Sequence, residues 1–266
     1  MTTELMTKSL RDNRSGIIGW GVALVASVLL QLAVYPAVRD AAGDFEKLLD
    51  SYPEAFKALF NVQQSLASGV GYLQGEAFGF LAPLVLLGIA IGQAARATAG
   101  EEQSHTMDLL LANPISRSRL VLDKAAAVLA AVAIVTAAFA VVLVAGSGLA
   151  GLGVPWQDLL AAVLASAVVA LPFGAVALLV GALTGRRGLA IGVSVGLALF
   201  SYLLDALSAL AAGLRPWRVL SPFHHAGVNE ALTGDPNWLG LTGLLVLTGL
   251  LVAGAAAAFE RREIRS

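Results

Sequence analysis

Five long stretches of this sequence contain no charged residue, and this feature restricts what the chain can fold into more than any other. They are Gly16 to Val38, Phe78 to Ala95, Ala125 to Gln157, Leu159 to Gly185 and Trp238 to Phe259. Because a helix needs about 20 apolar residues to cross a bilayer, each stretch is able to span a membrane. A sixth segment, Gly188 to Gly213, is interrupted only by Asp205. We therefore predict an all-α, polytopic membrane protein with six transmembrane helices.

The composition agrees with this fold class and excludes several functions. Hydrophobic residues make up 58% of the 266 residues and charged residues 13%, whereas about 25% of the residues of a soluble domain are charged. The net charge of −1 provides no basic surface for nucleic acid. The sequence has no cysteine, which excludes disulfides, thiolate nucleophiles and cysteine-ligated metals.

The positions of Lys and Arg predict how the chain is threaded through the membrane. The spans are predicted at residues 16–38, 76–97, 125–148, 159–184, 188–212 and 238–259, within a single transmembrane domain at residues 1–266. With the N-terminus inside, 12 Lys and Arg residues lie on the cytoplasmic side and 5 on the outer side. Since positive charge is retained on the cytoplasmic side of the plasma (inner) membrane, both termini are expected to be cytoplasmic.

Two segments outside the spans are predicted to lie along the membrane surface. In residues 1–15, apolar and basic side chains fall on different faces of a short helix, which is typical of an interfacial helix on the cytoplasmic side. A frayed tail is the alternative. Residues 39–75 form an outer loop in which Pro53 separates two short amphipathic helices. This loop is expected to cap the bundle, and a gate that contacts the substrate is the other interpretation.

The cytoplasmic loop at residues 98–124 is polar at both ends and apolar in the middle. Met107, Leu110 and Leu111 fall on one side of a short helix. This helix must end at Asn113, because Pro114 disfavours the helical conformation in the residue before it. The apolar side is suited to three uses: packing under its own bundle, dipping into the lipid interface, or fitting a groove on a cytoplasmic partner.

Several motifs of the chain together resemble one family of membrane proteins. The runs Ala99–Glu102 and Thr106–Arg117 resemble the loop between spans 2 and 3 of ABC type-2 transporter permeases, with a Gly-Glu-Glu start and a Thr-Leu-Asp-Leu-Leu-Leu core. Leu220–His224 and Phe259–Ile264 resemble motifs after span 5 and at the end of span 6. Tyr52–Ala55 is similar to a bacterial branch with a long first outer loop. The resemblance covers essentially the whole chain in order.

This resemblance implies a function and a set of partners. It implies a six-span half-permease of an ABC transporter, which works with a second permease subunit, in the simplest case as a homodimer, and with two cytoplasmic ABC ATPase subunits. ATP and Mg would be bound by those ATPases, so that this chain carries no cofactor of its own. Relatives of this type export drugs, antibiotics, lipids or ions, and an aliphatic pathway favours a hydrophobic or amphipathic molecule.

The resemblance also assigns roles to residues of the two cytoplasmic segments. The stretch Thr3–Asn13 matches the elbow helix, and Thr106–Asn113 matches the coupling helix, which sits in a groove of the ATPase. Met107 replaces the more common Leu of this motif. The expected ATPase-coupling residues are Glu101, Glu102, Thr106, Met107, Asp108, Leu110, Leu111, Asn113, Pro114, Arg117 and Arg119.

No catalytic site is predicted on this chain. A phosphate-binding loop ends in Gly-Lys-Ser/Thr, and none of the four lysines follows a glycine, so ATP hydrolysis is expected on a separate chain. Glu101, Glu102 and His105 suggest a membrane metalloprotease as a rival. However, Thr106 stands where CAAX-type proteases have Arg, and a metal site needs at least three convergent ligands.

An alternative function is a secondary transporter or a channel that is not coupled to ATP, and it requires ionisable groups within the membrane. Asp205 is the main acidic candidate, and Glu76 and Gln93, near opposite ends of span 2, are open to the same interpretations. Asp205 is expected near the outer surface, where it faces water or Arg215 or lines the mouth of the pathway. Gln93, Tyr202 and Asp205 are the candidate pathway residues. Span 5 also begins with a ridge of glycines suited to close helix packing, at Gly188, Gly192 and Gly196.

Overall fold

The structure, a computed structural model, describes residues 13–41, 68–100 and 117–261, and within these ranges its regular elements are all helical. We number the helices α1 (Arg14–Asp40), α2 (Gly69–Thr98), α3 (Arg117–Ala150), α4 (Trp156–Thr184), α5 (Arg187–Ser208), α6 (Pro222–Ala226), α7 (Val228–Leu232) and α8 (Trp238–Arg261). A 3₁₀ segment, Ala212–Leu220, lies between α5 and α6. Six of these helices, α1 to α5 and α8, are long and apolar enough to cross a membrane. The predicted all-helical, six-span fold class is confirmed.

The observed helices and the apolar stretches differ in their bounds. Helix α2 begins at Gly69, seven residues before the predicted span, and α3 begins at Arg117 rather than at residue 125. Helices continue past the hydrocarbon layer because their backbone groups stay paired in the polar interface as well. Helix α5 instead ends early, at Ser208, close to Gly213 and Pro216, which are poor helix formers.

Three predicted surface features fall mainly outside the described residues. They are the interfacial helix in residues 1–15, the helices of the outer loop in residues 39–75, and the coupling helix at Thr106–Asn113.

Short connections and local caps set the path of the chain. Ser68 caps the N-terminus of helix α2, because its hydroxyl accepts a hydrogen bond from the N–H of Gly71 at 3.0 Å. The turn between α3 and α4 contains Gly151 and Gly153, both at positive φ, a conformation that side chains with a Cβ rarely adopt. This tight turn makes α3 and α4 adjacent and antiparallel.

Helix α4 is the centre of the bundle. It is the most buried of the six long helices, and it packs against α8, α2, α5 and α3. Helix α1 lies at the periphery and packs mainly on α3. The crossing of α4 with α2 is close: a Cβ added at Gly174 would lie 3.1 Å from the Cβ of Ala90. Small residues at such a crossing let two helices approach in a membrane.

Helix α2 is irregular at both ends. It is π-helical at Gln74–Leu81 and again at Arg96–Gly100, and Pro83 stands near the start of its regular part. A π-helical turn changes the backbone register and often marks a functional position. The first of these turns lies beside α5 and positions the candidate site.

Candidate functional site

An apolar groove of about 320 Å³ runs between α2 and α5. We call it the α2–α5 groove. Its walls include Phe80, Leu84 and Ile91 of α2, and Val195, Leu199 and Tyr202 of α5. Phe80 and Leu199 are more than half exposed, so that the groove opens at the side of the bundle. A concave, apolar surface with few polar groups is the usual form of a site for a small hydrophobic molecule.

A hydrogen bond between side chain and backbone joins the two walls of the groove. The phenolic O–H of Tyr202 donates to the carbonyl oxygen of Gly79 at 3.1 Å. Gly79 lies in the π-helical turn of α2, where backbone bonding changes from the i+5 type to the i+4 type of the following α-helix and Pro83 supplies no N–H. In a membrane a carbonyl without a donor is costly. Tyr202 therefore supplies a donor at this irregular turn and joins α5 to α2.

A small polar cavity of about 40 Å³ adjoins one end of the groove. Both spaces are lined by Gly79, Pro83, Tyr202 and Phe223, and the polar cavity adds Asp205, Arg218, His224 and Glu230. These charged residues lie at the end of the bundle where α5 ends. The combined space therefore has long apolar walls and one charged end, an arrangement that matches an amphipathic molecule.

The carboxylate of Asp205 is paired within this cavity. Its Oδ1 lies 2.7 Å from Nε of Arg218, which donates a hydrogen bond to it. The Asp205 side chain is only 17% exposed, whereas that of Arg218 is 39% exposed, so the carboxylate is the shielded member of the pair. The expectation that Asp205 faces water or Arg215 is wrong as to the partner, because Arg218 of the 3₁₀ segment forms the ion pair.

Three further contacts fix the 3₁₀ segment and α6 at the end of α5. The hydroxyl of Ser221 donates to the carbonyl of Ser201 at 2.8 Å and is fully buried. The same hydroxyl accepts from the N–H of Phe223 at the start of α6. Nε2 of His225 lies 2.7 Å from the carbonyl of Val219. The end of the groove is therefore a fixed wall and not a loose loop.

His224 projects into the polar cavity beside this ion pair. Its Nδ1 is buried and has no hydrogen-bond partner among the described residues. Burial lowers the pKa of His224 below 6.5, and the positive charge of Arg218 lowers it further, while Asp205 and Glu230 oppose this change. The imidazole is therefore neutral at pH 7.

The structure brings together two of the three predicted pathway residues. Tyr202 and Asp205 line the polar cavity, whereas the amide of Gln93 is buried near Gly16 of α1. Arg119 is exposed at the start of α3. The coupling residues from Glu101 to Pro114 lie outside the described ranges, and the helix that begins at Arg117 follows them.

Sequence reasoning missed Arg218 and the role of Gly79. Pro83 marks an irregular position in this span, but nothing in the sequence identified the carbonyl or its donor. Within the ranges that the structure describes, no group of three His, Asp or Glu residues could hold a metal ion.

Comparison with known proteins gives one result. The family model described as ABC-2 family transporter protein matches residues 5–264 of the chain. No curated protein matches the sequence.

Proposed function

The chain belongs to the ABC-2 transporter family, which makes it a membrane permease subunit of an ABC transporter, and from this premise we propose that it forms the export pathway for a hydrophobic or amphipathic molecule. The observation that carries the proposal is the α2–α5 groove with the polar cavity at its end. Because lipid tails are as apolar as the walls of such a groove, affinity for a molecule that enters from the bilayer comes from van der Waals packing. The few polar groups at the end orient the molecule.

We further propose that ATP drives this pathway through partner subunits. Two ABC ATPase subunits would bind ATP and Mg, and the segment Thr106–Asn113 would transmit their movement to α2 and α3. The excess of Lys and Arg on one side of the membrane supports cytoplasmic termini in the plasma (inner) membrane. The ATPases would then meet the chain on the side where ATP is present.

We also propose that two copies of this chain form the permease. Helix α5 presents an apolar face that the described part of the chain does not cover. Val193, Leu197 and Phe200 on this face are exposed. A Cβ added at Gly192 or Gly196 meets no atom of the described residues within 4 Å. Small residues on an open face let a second helix approach closely, which supports a homodimer through α5.

Filling the α2–α5 groove tests the export proposal. Gly92 lines the groove, and a Cβ added there meets no atom of the described residues within 4 Å, so Gly92→Leu directs a side chain into open space. Because changing a hydrophobic site by a few methylenes costs about 1–3 kcal/mol, transport is expected to fall by about tenfold or more. The measurement is ATP-dependent uptake of hydrophobic dyes into inverted membrane vesicles that contain the complex.

The matched control is Gly19→Leu. It adds the same side chain at a position that also has open space but lies on α1, outside the groove. Uptake should stay at the wild-type level. A double variant, Leu110→Asp with Leu111→Asp, serves as the reference for lost coupling, since it should release the ATPase while Gly92→Leu retains it. Equal uptake in Gly92→Leu and wild type would contradict the groove as the pathway.

A further inference from the structure

A second apolar groove of about 280 Å³ lies between α3, α4 and α8. We call it the α3–α8 groove. It shares no lining residue with the α2–α5 groove. Its rims carry Leu129 of α3 and Leu245 of α8, both about half exposed, and its floor includes Gly174 of α4. The proposed function does not use this space.

The groove lies at the depth of the hydrocarbon layer. Ala126 is nine residues into α3, and Gly249 is twelve residues before the end of α8. At about 1.5 Å per residue these positions are about 14–18 Å from the helix ends. A bilayer has a hydrocarbon core of about 30 Å. The charge-free stretch of α3 starts only at Ala125, so Ala126 lies near one edge of this core, whereas Gly249 is in the middle of the stretch Trp238 to Phe259 and lies near the bilayer centre. The groove therefore extends from the edge of the hydrocarbon layer towards its centre.

The chemistry of the lining excludes a polar occupant. Among the lining residues the structure describes, none is charged, and Thr248 is the one with a side-chain polar group. Its hydroxyl already donates to the carbonyl of Leu244 at 2.8 Å. Apolar cavities of this kind stay dry because water finds no hydrogen-bond partner in them. The occupant must therefore be a hydrocarbon.

The size of the groove distinguishes between hydrocarbon occupants. The surface is deepened by small residues, Ala126, Gly174, Ala175 and Gly249. A helix of a second copy has a diameter of about 10–12 Å including its side chains. A single flexible acyl chain is thinner and enters a groove between three helices more readily from the bilayer.

We propose that the α3–α8 groove binds one acyl chain of a bilayer lipid, which completes the packing of α3, α4 and α8. The bound chain reaches Gly174, the residue at which α4 crosses Ala90 of α2. The lipid therefore lies against the crossing of the two most buried helices. This proposal requires only that the six helices span a membrane, and it stands whether or not the α2–α5 groove carries substrate.

Photo-crosslinking to a labelled lipid tests the site. The intact complex is reconstituted in nanodiscs of phosphatidylcholine, a part of which carries a diazirine in the terminal half of one acyl chain. After illumination, adducts are mapped by mass spectrometry. Adducts are expected to concentrate on the groove segments of α3 and α8. Adducts on the exposed face of α1 around Val22 and Leu29 measure the background labelling by bulk lipid.

Two glycines of α8 supply a matched pair of variants. A Cβ added at Gly249 or at Gly243 meets no atom of the described residues within 4 Å, but of the two only Gly249 lines the groove. Gly249→Leu is expected to reduce the groove adducts severalfold, and Gly243→Leu to leave them unchanged. Ala126→Leu fills the groove from α3, where Ala126 is exposed, and gives the same result if Gly249→Leu does not assemble.

Three results would overturn the proposal. The first is a groove adduct yield no higher than that on α1. The second is a yield that persists in both filled variants. The third is protection of the groove in the wild-type complex, with crosslinks from its rims to a second copy, which would assign the groove to a protein interface.

Discussion

Tyr202 shows how a side chain of one membrane helix pairs with the irregular backbone of another. The π-helical turn and Pro83 interrupt the regular backbone bonding of α2, and the Tyr202 hydroxyl donates to the carbonyl of Gly79 in this turn. We expect Tyr202→Phe to lower the free energy of unfolding by about 0.5–2 kcal/mol, the range for hydrogen bonds between membrane helices. The measurement is the unfolding midpoint in mixed detergent with increasing dodecyl sulfate.

A double-mutant cycle separates this effect from lost packing. Pro83→Ala restores an N–H near Gly79, so Tyr202→Phe should cost less in the Pro83→Ala background than in the wild type. The same cost in both backgrounds would show that Tyr202 acts by packing, for example against Phe223, whose ring centroid is 5.5 Å away.

His224 makes the stability of the groove end depend on pH. Burial and then Arg218 lower the pKa of His224 below 6.5, so the folded state binds fewer protons than the unfolded state. The neutral imidazole contributes fully to stability above the pKa that His224 has in the unfolded state. This contribution is lost as pH falls through the lower pKa of His224 in the folded state. The free energy of unfolding should therefore decrease between about pH 7 and about pH 5, and less so in His224→Gln. Identical pH profiles for both proteins would show that other groups determine the change.

The pairing of Asp205 shows where sequence reasoning stops at this scale. The sequence placed an acidic residue near the end of span 5 with two arginines after it, Arg215 and Arg218. Hydropathy and charge indicate whether a residue lies in water or in lipid. They do not indicate which of the two arginines turns towards the Asp205 carboxylate. That choice depends on the 3₁₀ conformation of Ala212–Leu220, which has a different period from an α-helix.

At the scale of the helix, the crossing of α2 and α4 depends on the absence of one side chain. A Cβ at Gly174 would lie 3.1 Å from the Cβ and 3.2 Å from the carbonyl oxygen of Ala90. We expect Gly174→Val to reduce stability by about 1–3 kcal/mol, because overpacking moves the backbone of one helix. The measurement is again the unfolding midpoint in dodecyl sulfate.

Second-site rescue identifies the cause of this loss. Gly174→Ala combined with Ala90→Gly removes one of the two colliding Cβ atoms and should recover part of the stability that Gly174→Ala loses. Gly148→Val on α3, where a Cβ meets no atom within 4 Å, should have little effect. If Gly148→Val were as costly as Gly174→Val, the loss would reflect valine in a membrane helix and not the crossing.

The number of membrane-spanning helices and the all-helical fold class were predictable from the sequence, but the π-helical turns were not. Charge-free stretches define spans because burying a charge in lipid is costly. The π-helical turn at Gln74–Leu81 packs against α1 and α7, which are distant from it in the chain, and no pattern in the sequence predicts it. The α2–α5 groove is likewise a product of tertiary packing, and only Tyr202 and Asp205 of its environment were predicted as pathway residues.

At the scale of the whole molecule, the open face of α5 determines how two copies would assemble. Spans of a monomer can expose apolar faces to lipid without any partner, so exposure alone does not identify an interface. The glycines at positions 192 and 196 add a second argument, because they remove side chains from the part of the face that a partner would approach. The proposed homodimer therefore predicts close contact at these positions and not elsewhere.

Single cysteines test this assembly directly, since the natural sequence has no cysteine. Gly196→Cys places one thiol on the open face of α5, and mild oxidation in membranes is expected to give a covalent dimer, because a disulfide forms only when Cβ atoms approach within about 3.5–4.5 Å. Gly192→Cys samples the next turn of the same face and allows for the register of the two helices. Gly243→Cys on α8 has equally open space and should remain monomeric on a denaturing gel. Dimer formation at Gly243→Cys, or its absence at both α5 positions when the complex is intact by mass, would place the interface on another helix and leave α5 facing lipid.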